Sequence, residues 1–225
     1  MLSVHGRRPA SVFIEPIAKK LHAWGVTPNA VTLAGTVAAM ALAVALIPTG
    51  HHFAAAALIG LTVATDMVDG TMARLRGGGT KFGATLDATC DRLSDGAIFG
   101  SLAMWFALQE PVQRIMMALC LVILVTSQVT SYVKARAEAS GIKVVGGLIE
   151  RPERLIIGLV ATGIGGLGVP YILAGGLWIL AVGSCYTVVE RLLMVSRSSE
   201  AQGHIAAPEG AKEFTPDSSV GEGRR

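Results

Sequence analysis

Long apolar runs recur along most of this chain, and runs of that length leave few folds open. Six can be drawn, over residues 30–47, 53–74, 82–107, 112–133, 155–167 and 169–193. About 20 mainly apolar residues suffice to cross a bilayer as a helix. In lipid every backbone N–H and C=O must be satisfied within the segment, which a helix does. The expectation is an all-α integral membrane protein with six transmembrane helices. The fifth segment is short and glycine-rich, and its limits are the least defined. Pro48-Thr49-Gly50, Gln109-Glu110-Pro111 and Gly168-Val169-Pro170 supply turn-like breaks. The charge content agrees, at 16% of residues against roughly 25% in average soluble domains.

The basic residues set the orientation. Of 19 Lys and Arg, only Arg114 falls in a loop on one side, whereas Arg7, Arg8, Lys19, Lys20, Arg76, Lys81, Arg136, Lys143, Arg151 and Arg197 fall on the other. An even number of spans then puts both termini and the basic loops in the cytoplasm. Residues 1–20 are basic and broken by Pro9 and Pro16, so no cleavable signal peptide is expected. Val12, Phe13, Ile14, Ile17, Leu21 and Trp24 alternate with Glu15, Lys19 and Lys20. That pattern fits either a short amphipathic helix in the cytoplasmic interface, within a juxtamembrane region of residues 1–25, or an ordinary basic anchor. Residues 26–196 form the helical domain, and the polar stretch 197–225 reads as a disordered cytoplasmic tail. Cys90, Cys120 and Cys185 lie far apart in apolar segments and read as buried free thiols. A net charge of +3 is too small to point to nucleic acid.

Carboxylates stand where lipid-embedded chains avoid them. Asp66 and Asp69 are three apart, Asp87 and Asp91 four apart, and each spacing stacks both side chains on one helix face. A short loop joins the two helices, so they run antiparallel and the pairs can meet near the cytoplasmic end. One acid at the centre of a span is unfavourable by about 3 kcal/mol on insertion scales. Arg74 and Arg92 offset two charges at most, while two divalent cations offset all four. All-oxygen ligands favour magnesium or manganese over zinc, and paired metals serve phosphoryl chemistry. Interhelical salt bridges, or a proton or ion path, are the other readings of such acids. Asp95, one turn further on, has no evident role beyond partnering a nearby arginine.

The run Asp66-x-x-Asp69-Gly70-x-x-Ala73-Arg74, eight residues, then Gly83-x-x-x-Asp87-x-x-x-Asp91 resembles the complete signature of the CDP-alcohol phosphotransferase family. The resemblance reaches to about Arg197, and within the family the chain is most similar to bacterial members that make phosphatidylinositol phosphate. It implies a six-helix membrane enzyme, commonly a homodimer, that uses Mg2+ (two ions, with Mn2+ an alternative) held by Asp66, Asp69, Asp87 and Asp91. Asp91 is also implied as the base that deprotonates the attacking hydroxyl. CDP-diacylglycerol is implied to meet Asn29, Thr32, Asp66, Gly70, Arg74 and Thr80. Read locally, Thr27 caps the first span, with Pro28 in its first turn.

The signature implies the donor but not the acceptor. Lys134, Arg154 and Arg191 stand at the cytoplasmic ends of their segments, level with the carboxylates. They are either positive-inside anchors or a site for a phosphorylated alcohol, which needs charge-assisted donors. The family resemblance favours inositol 3-phosphate as acceptor, giving phosphatidylinositol phosphate and CMP in the bacterial cell membrane. Glycerol 3-phosphate, giving phosphatidylglycerophosphate, is the competitor. A proton or ion carrier is the distant one, since it has no use for Gly70, Ala73, Arg74 and Gly83. Gly96 and Gly100 are a candidate close-approach stripe, within the bundle or between protomers.

Overall fold

A computed structural model describes residues 7–203 except Thr65, with side chains from Ile14 onward apart from those of residues 64–67. The described residues are helical, with no strand among them. The order is α1 (Arg7–Ala23), α2 (Pro28–Leu46), α3 (His52–Ala64), α4 (Asp66–Leu75), α5 (Lys81–Ala107), α6 (Arg114–Ala139), α7 (Arg151–Gly166) and α8 (Ile172–Ser196), then a 3-10 turn at Ser199–Gln202. The chain cuts these helices with local chemistry. Thr27 accepts from the Ala30 N–H at 3.2 Å, with Pro28 in the first turn of α2. Thr80 caps α5 through the Gly83 N–H at 2.9 Å.

The larger elements close into a ring. α3 packs on α2, α2 on α5, α5 on α6, α6 on α8, α8 on α7, and α7 back on α3. Phe99, Ile98, Leu102, Ile123, Leu177 and Leu180 fill the middle, each at most 2% exposed. Small residues set the closest approach. A Cβ on Gly176 of α8 would lie 2.5 Å from that of Ala161 on α7. The outer faces carry Val37, Val44, Leu61, Val125, Ile179 and Val189, all more than half exposed. Such a belt suits lipid and not water.

Four stretches are long and apolar enough to cross a membrane: Pro28–Leu46, His52–Leu75 across α3 and α4, Arg114–Ala139 and Ile172–Ser196. The other two ring helices fall outside for physical reasons. α5 carries Asp87, Asp91, Arg92 and Asp95 between its second turn and its middle. α7 has 16 residues, about 24 Å at 1.5 Å per residue, short of the roughly 30 Å hydrocarbon core.

α1 lies on α4 through Ala18, Val68 and Met72, with Ile14, Leu21, Val26 and Val31 around them. It runs through Pro16 as one helix, so that proline does not end it. Its outer side holds a Lys19–Glu15 pair at 2.7 Å, and the ammonium holds the Glu15 carboxyl below its ordinary pKa. The residues Met1–Gly6 and the tail from His204 lie outside the described residues. The part of the tail that is described is structured: Ala201 packs with Ala137, Ile142 and Val144. Cys90 and Cys120 are buried, whereas Cys185 faces outward from α8, unlike the expectation from its apolar surroundings.

Candidate active site

A cavity of about 740 Å³ opens where α2 begins, α4 ends and α5 begins. Asn29 and Thr32 line it from α2, Asp69, Gly70 and Ala73 from α4, and Gly83, Ala84 and Asp87 from α5. The connecting loop adds Arg76, Gly78, Gly79 and Thr80. That loop turns because Gly77 and Gly78 sit at φ +87° and +130°, values L side chains rarely adopt. Arg76 ties the rim to α1, donating to His22 Nδ1 at 3.1 Å and the Val26 carbonyl at 3.0 Å.

Asp69 is 7% exposed and accepts a 2.5 Å hydrogen bond from the Thr32 hydroxyl. Asp87 stands exposed on the facing helix. Gly83 is where space is tightest: a Cβ there would lie 3.1 Å from both Asn29 Oδ1 and Thr80 Oγ1. At Gly70 an added Cβ would meet only Arg74 Nη1, at 3.8 Å, so the room it leaves belongs to the cavity. Arg74 does not line this cavity. Its Nη2 donates to Thr71 at 2.8 Å, and Arg76 takes the rim position instead.

Asp91, one turn beyond Asp87, is held by α7. Its Oδ1 lies 2.7 Å from Arg151 Nη1 and its Oδ2 3.8 Å from Arg92 Nη2. A turn deeper, Asp95 Oδ2 accepts from Arg154 Nη2 at 2.5 Å and Nε at 3.2 Å, with both residues at most 2% exposed. Arg154 thus points inward to Asp95 and answers the question of that acid's partner. Arg191 is likewise engaged, donating to the Thr130 carbonyl at 3.0 Å, the Gly146 carbonyl at 3.2 Å and Glu150 at 3.0 Å. Lys134, one turn after Thr130, is exposed, 3.9 Å from Glu138.

Among the described residues no three acids, histidines or cysteines gather tightly enough to hold one metal ion. The side chain of Asp66, the fourth acid of the quartet, lies outside the described residues, and Asp91 is turned to Arg151. The donor chemistry nonetheless fits a hard divalent cation: Asp69 and Asp87 offer carboxylate oxygens from opposite walls of one cavity. Arg76 and Lys81, which line the cavity, and Arg151, which pairs with Asp91, were read from the sequence only as charges that set orientation. For Arg151 a signal existed, since the Asp91/Asp95 spacing of four and the Arg151/Arg154 spacing of three match as facing helical turns.

Residues 25–196 match the CDP-alcohol phosphatidyltransferase family model. A phosphatidylinositol phosphate synthase of Corynebacterium glutamicum is 55% identical over 212 residues, covering 94% of this chain and 97% of that relative. One from Mycobacterium tuberculosis is 51% identical over 198 residues, covering 86% and 90%. A solved structure of a Mycobacterium tuberculosis phosphatidylinositol phosphate synthase with CDP-DAG bound superposes with a TM-score of 0.83 at 50% identity, covering 86% of this chain and 98% of that one. Another, in complex with manganese and citrate, gives 0.81 at 49%, covering 86% and 93%.

Proposed function

The chain belongs to the CDP-alcohol phosphatidyltransferase family, and from that premise we propose that it transfers the phosphatidyl group of CDP-diacylglycerol to a hydroxyl of inositol 3-phosphate. One observation carries the reading. Of the family motif, Asp69, Gly70, Ala73, Gly83 and Asp87 line a single cavity, and Asp91 lies one turn beyond it on the α5 helix. The similarity to phosphatidylinositol phosphate synthases over nearly the full chain supports the acceptor.

In this reading the nucleotide of CDP-diacylglycerol lies against Asn29, Thr32, Asp66, Gly70 and Thr80, with Arg74, whose Nη1 stands beside Gly70, turning from Thr71 to meet it and the acyl chains among lipids. Asp66, Asp69, Asp87 and Asp91 would hold divalent ions, magnesium or manganese, which supply electrostatic stabilisation of the pyrophosphate charge. The binding of manganese by a relative at 49% identity supports that assignment. Asp91 receives the proton of the attacking hydroxyl. The acceptor oxygen bonds to the lipid-side phosphorus, the bond from that phosphorus to the bridging oxygen breaks, and CMP departs with the electron pair. Catalysis is chiefly positioning and preorganised charge. Lys134, Arg154 and Arg191 bear on the acceptor phosphate, Lys134 as the exposed donor and the two buried arginines from the ends of α7 and α8, where Asp95 and Glu150 hold them.

The membrane topology follows from the same premise. Six spans, α2, α3–α4, α5, α6, α7 and α8, place the cavity and both termini in the cytoplasm, with α1 lying in the interface. The lopsided basic residues support this arrangement. A homodimeric assembly rests on the family resemblance alone. The decisive test offers purified protein labelled inositol 3-phosphate and glycerol 3-phosphate side by side, with CDP-diacylglycerol and metal. Lipid product from the first alone is expected. Product from glycerol 3-phosphate alone would overturn the acceptor, and no CMP release from either would overturn the reaction.

A further inference from the structure

A second cavity, of about 430 Å³, lies at the opposite end of the bundle, where α3, α6 and α8 begin and α5 and α7 finish. The reaction described above makes no use of it. His52, the first residue of α3, lines it and is 5% exposed, yet its Nε2 has no hydrogen-bond partner. Buried polar atoms are nearly always satisfied, so an orphan in a cavity wall points to a ligand. Trp105, also in the wall, meets the imidazole edge-on with ring centroids 4.3 Å apart. Two helix N-termini open on the same space. α6 starts from Gln113 and α8 from Tyr171, neither with a side-chain cap, and both residues line the cavity. So do Met116, third residue of α6, and Leu173 and Ala174, second and third of α8. First-turn amides have no carbonyl partner within their own helix, and they carry the positive end of its dipole. Arg114, the first residue of α6, adds a full charge beside them.

We propose that this cavity binds the headgroup of an anionic phospholipid, with the phosphate on the two uncapped N-termini and the acyl chains along the rim. Helix N-termini are general phosphate sites. His52 Nε2 bonds a phosphate oxygen as an N–H or accepts from a headgroup hydroxyl. Phe106, Val169 and Leu173 make much of the wall apolar, and Leu108, Val112, Ile115 and Leu167 are exposed around it. Such surroundings favour a lipid over free phosphate, which gains nothing from apolar contact. A choline lipid brings its own cation to the same positive ends and binds less well. The inference rests on the membrane topology proposed above and is independent of the acceptor.

The test uses the full-length protein in phosphatidylcholine vesicles, with Trp24→Phe and Trp178→Phe leaving Trp105 as the reporter. Phosphatidylglycerol with brominated acyl chains should quench Trp105 at a lower fraction than brominated phosphatidylcholine does, a preference of at least about threefold for two helix termini. Gln113→Asp, at an exposed position, supplies a cap from within the chain and repels phosphate. It should bring the preference to about one while Tm in detergent holds or rises. His52→Phe, which keeps a ring and removes Nε2, should also lower the preference. Equal quenching by the two lipids in the parent overturns the proposal, as does a parent-like preference in either variant. Inorganic phosphate, at an ionic strength matched with chloride, should not relieve the quenching. Relief would assign the site to the free anion and overturn the lipid. No outcome here bears on CMP release, so the acceptor reading stands or falls separately.

Discussion

Asp91 stands between Asp87, a turn before it, and Asp95, a turn after it, with Arg151 across from it on α7 and Arg92 beside it. Only a carboxylate can both hold the arginine and take a proton, so Asp91→Asn keeps the shape and removes the chemistry. CMP release should fall at least about a hundredfold, the lower range for loss of a general base, while the protein elutes as the parent does on gel filtration. Parent-like CMP release would remove Asp91 as the base. Asp95 makes the opposite case. Its Oδ2 takes both bonds from Arg154, and the arginine is 2% exposed. Asp95→Asn leaves a buried guanidinium without its counter-charge, a loss of about 3–5 kcal/mol. Thermal unfolding in detergent should show a large drop in Tm. The double variant Asp95→Leu with Arg154→Met should regain most of it and still fail to turn over the phosphorylated acceptor. A single variant as stable as the parent would mean the pair is not held as described.

At the level of elements, the α4–loop–α5 hairpin does most of the positioning, and its tightest point is Gly83. A methyl there presses on Asn29 Oδ1 and Thr80 Oγ1, each 3.1 Å away, and shifts two residues of the cavity wall at once. Gly83→Ala should raise KM for CDP-diacylglycerol about tenfold with little change in Tm. Gly96→Ala, where an added Cβ meets nothing within 4 Å, should leave KM alone, and equal KM values in the two variants would remove the steric argument. This hairpin was legible in the sequence because its spacing fixes which side chains share a face. All six apolar runs could be drawn, but only α2, α3–α4, α6 and α8 are long and apolar enough to cross a membrane outright, since α5 and α7 carry the Asp91–Arg151 and Asp95–Arg154 pairs and α7 is short. Spacing gives a face but not a partner. Nothing local in residues 151–154 says that Arg154 turns inward on Asp95 while Arg151 stays at the site. Nor does spacing say that Arg74, which the resemblance implies to meet the nucleotide, bonds Thr71 here while Arg76 takes the rim, tied to His22 and Val26.

For the whole molecule, the ring gathers the chain's polar business at one end. The cavity, the Asp91–Arg151 and Asp95–Arg154 pairs and the bonds of Arg191 share the end where α2, α5 and α7 begin and α4, α6 and α8 finish. The other end is formed by the turns after α2, α5 and α7, where Arg114 is the sole Lys or Arg. Such asymmetry sets orientation during insertion, and in the topology proposed above it would put the polar acceptor on the cytoplasmic side, with the donor's acyl chains in the bilayer. The prediction is tested by single-cysteine labelling in intact cells, starting from Cys185→Ser because Cys185 faces outward while Cys90 and Cys120 are buried. Val112, 47% exposed beside Arg114, and Lys143, exposed in the loop before α7, mark the two ends. A membrane-impermeant maleimide should modify Val112→Cys in intact cells and Lys143→Cys only after the membrane is opened. The reverse pattern would turn the molecule over. Modification of both in intact cells would break the even span count, because two ends separated by an odd number of crossings cannot face the same compartment.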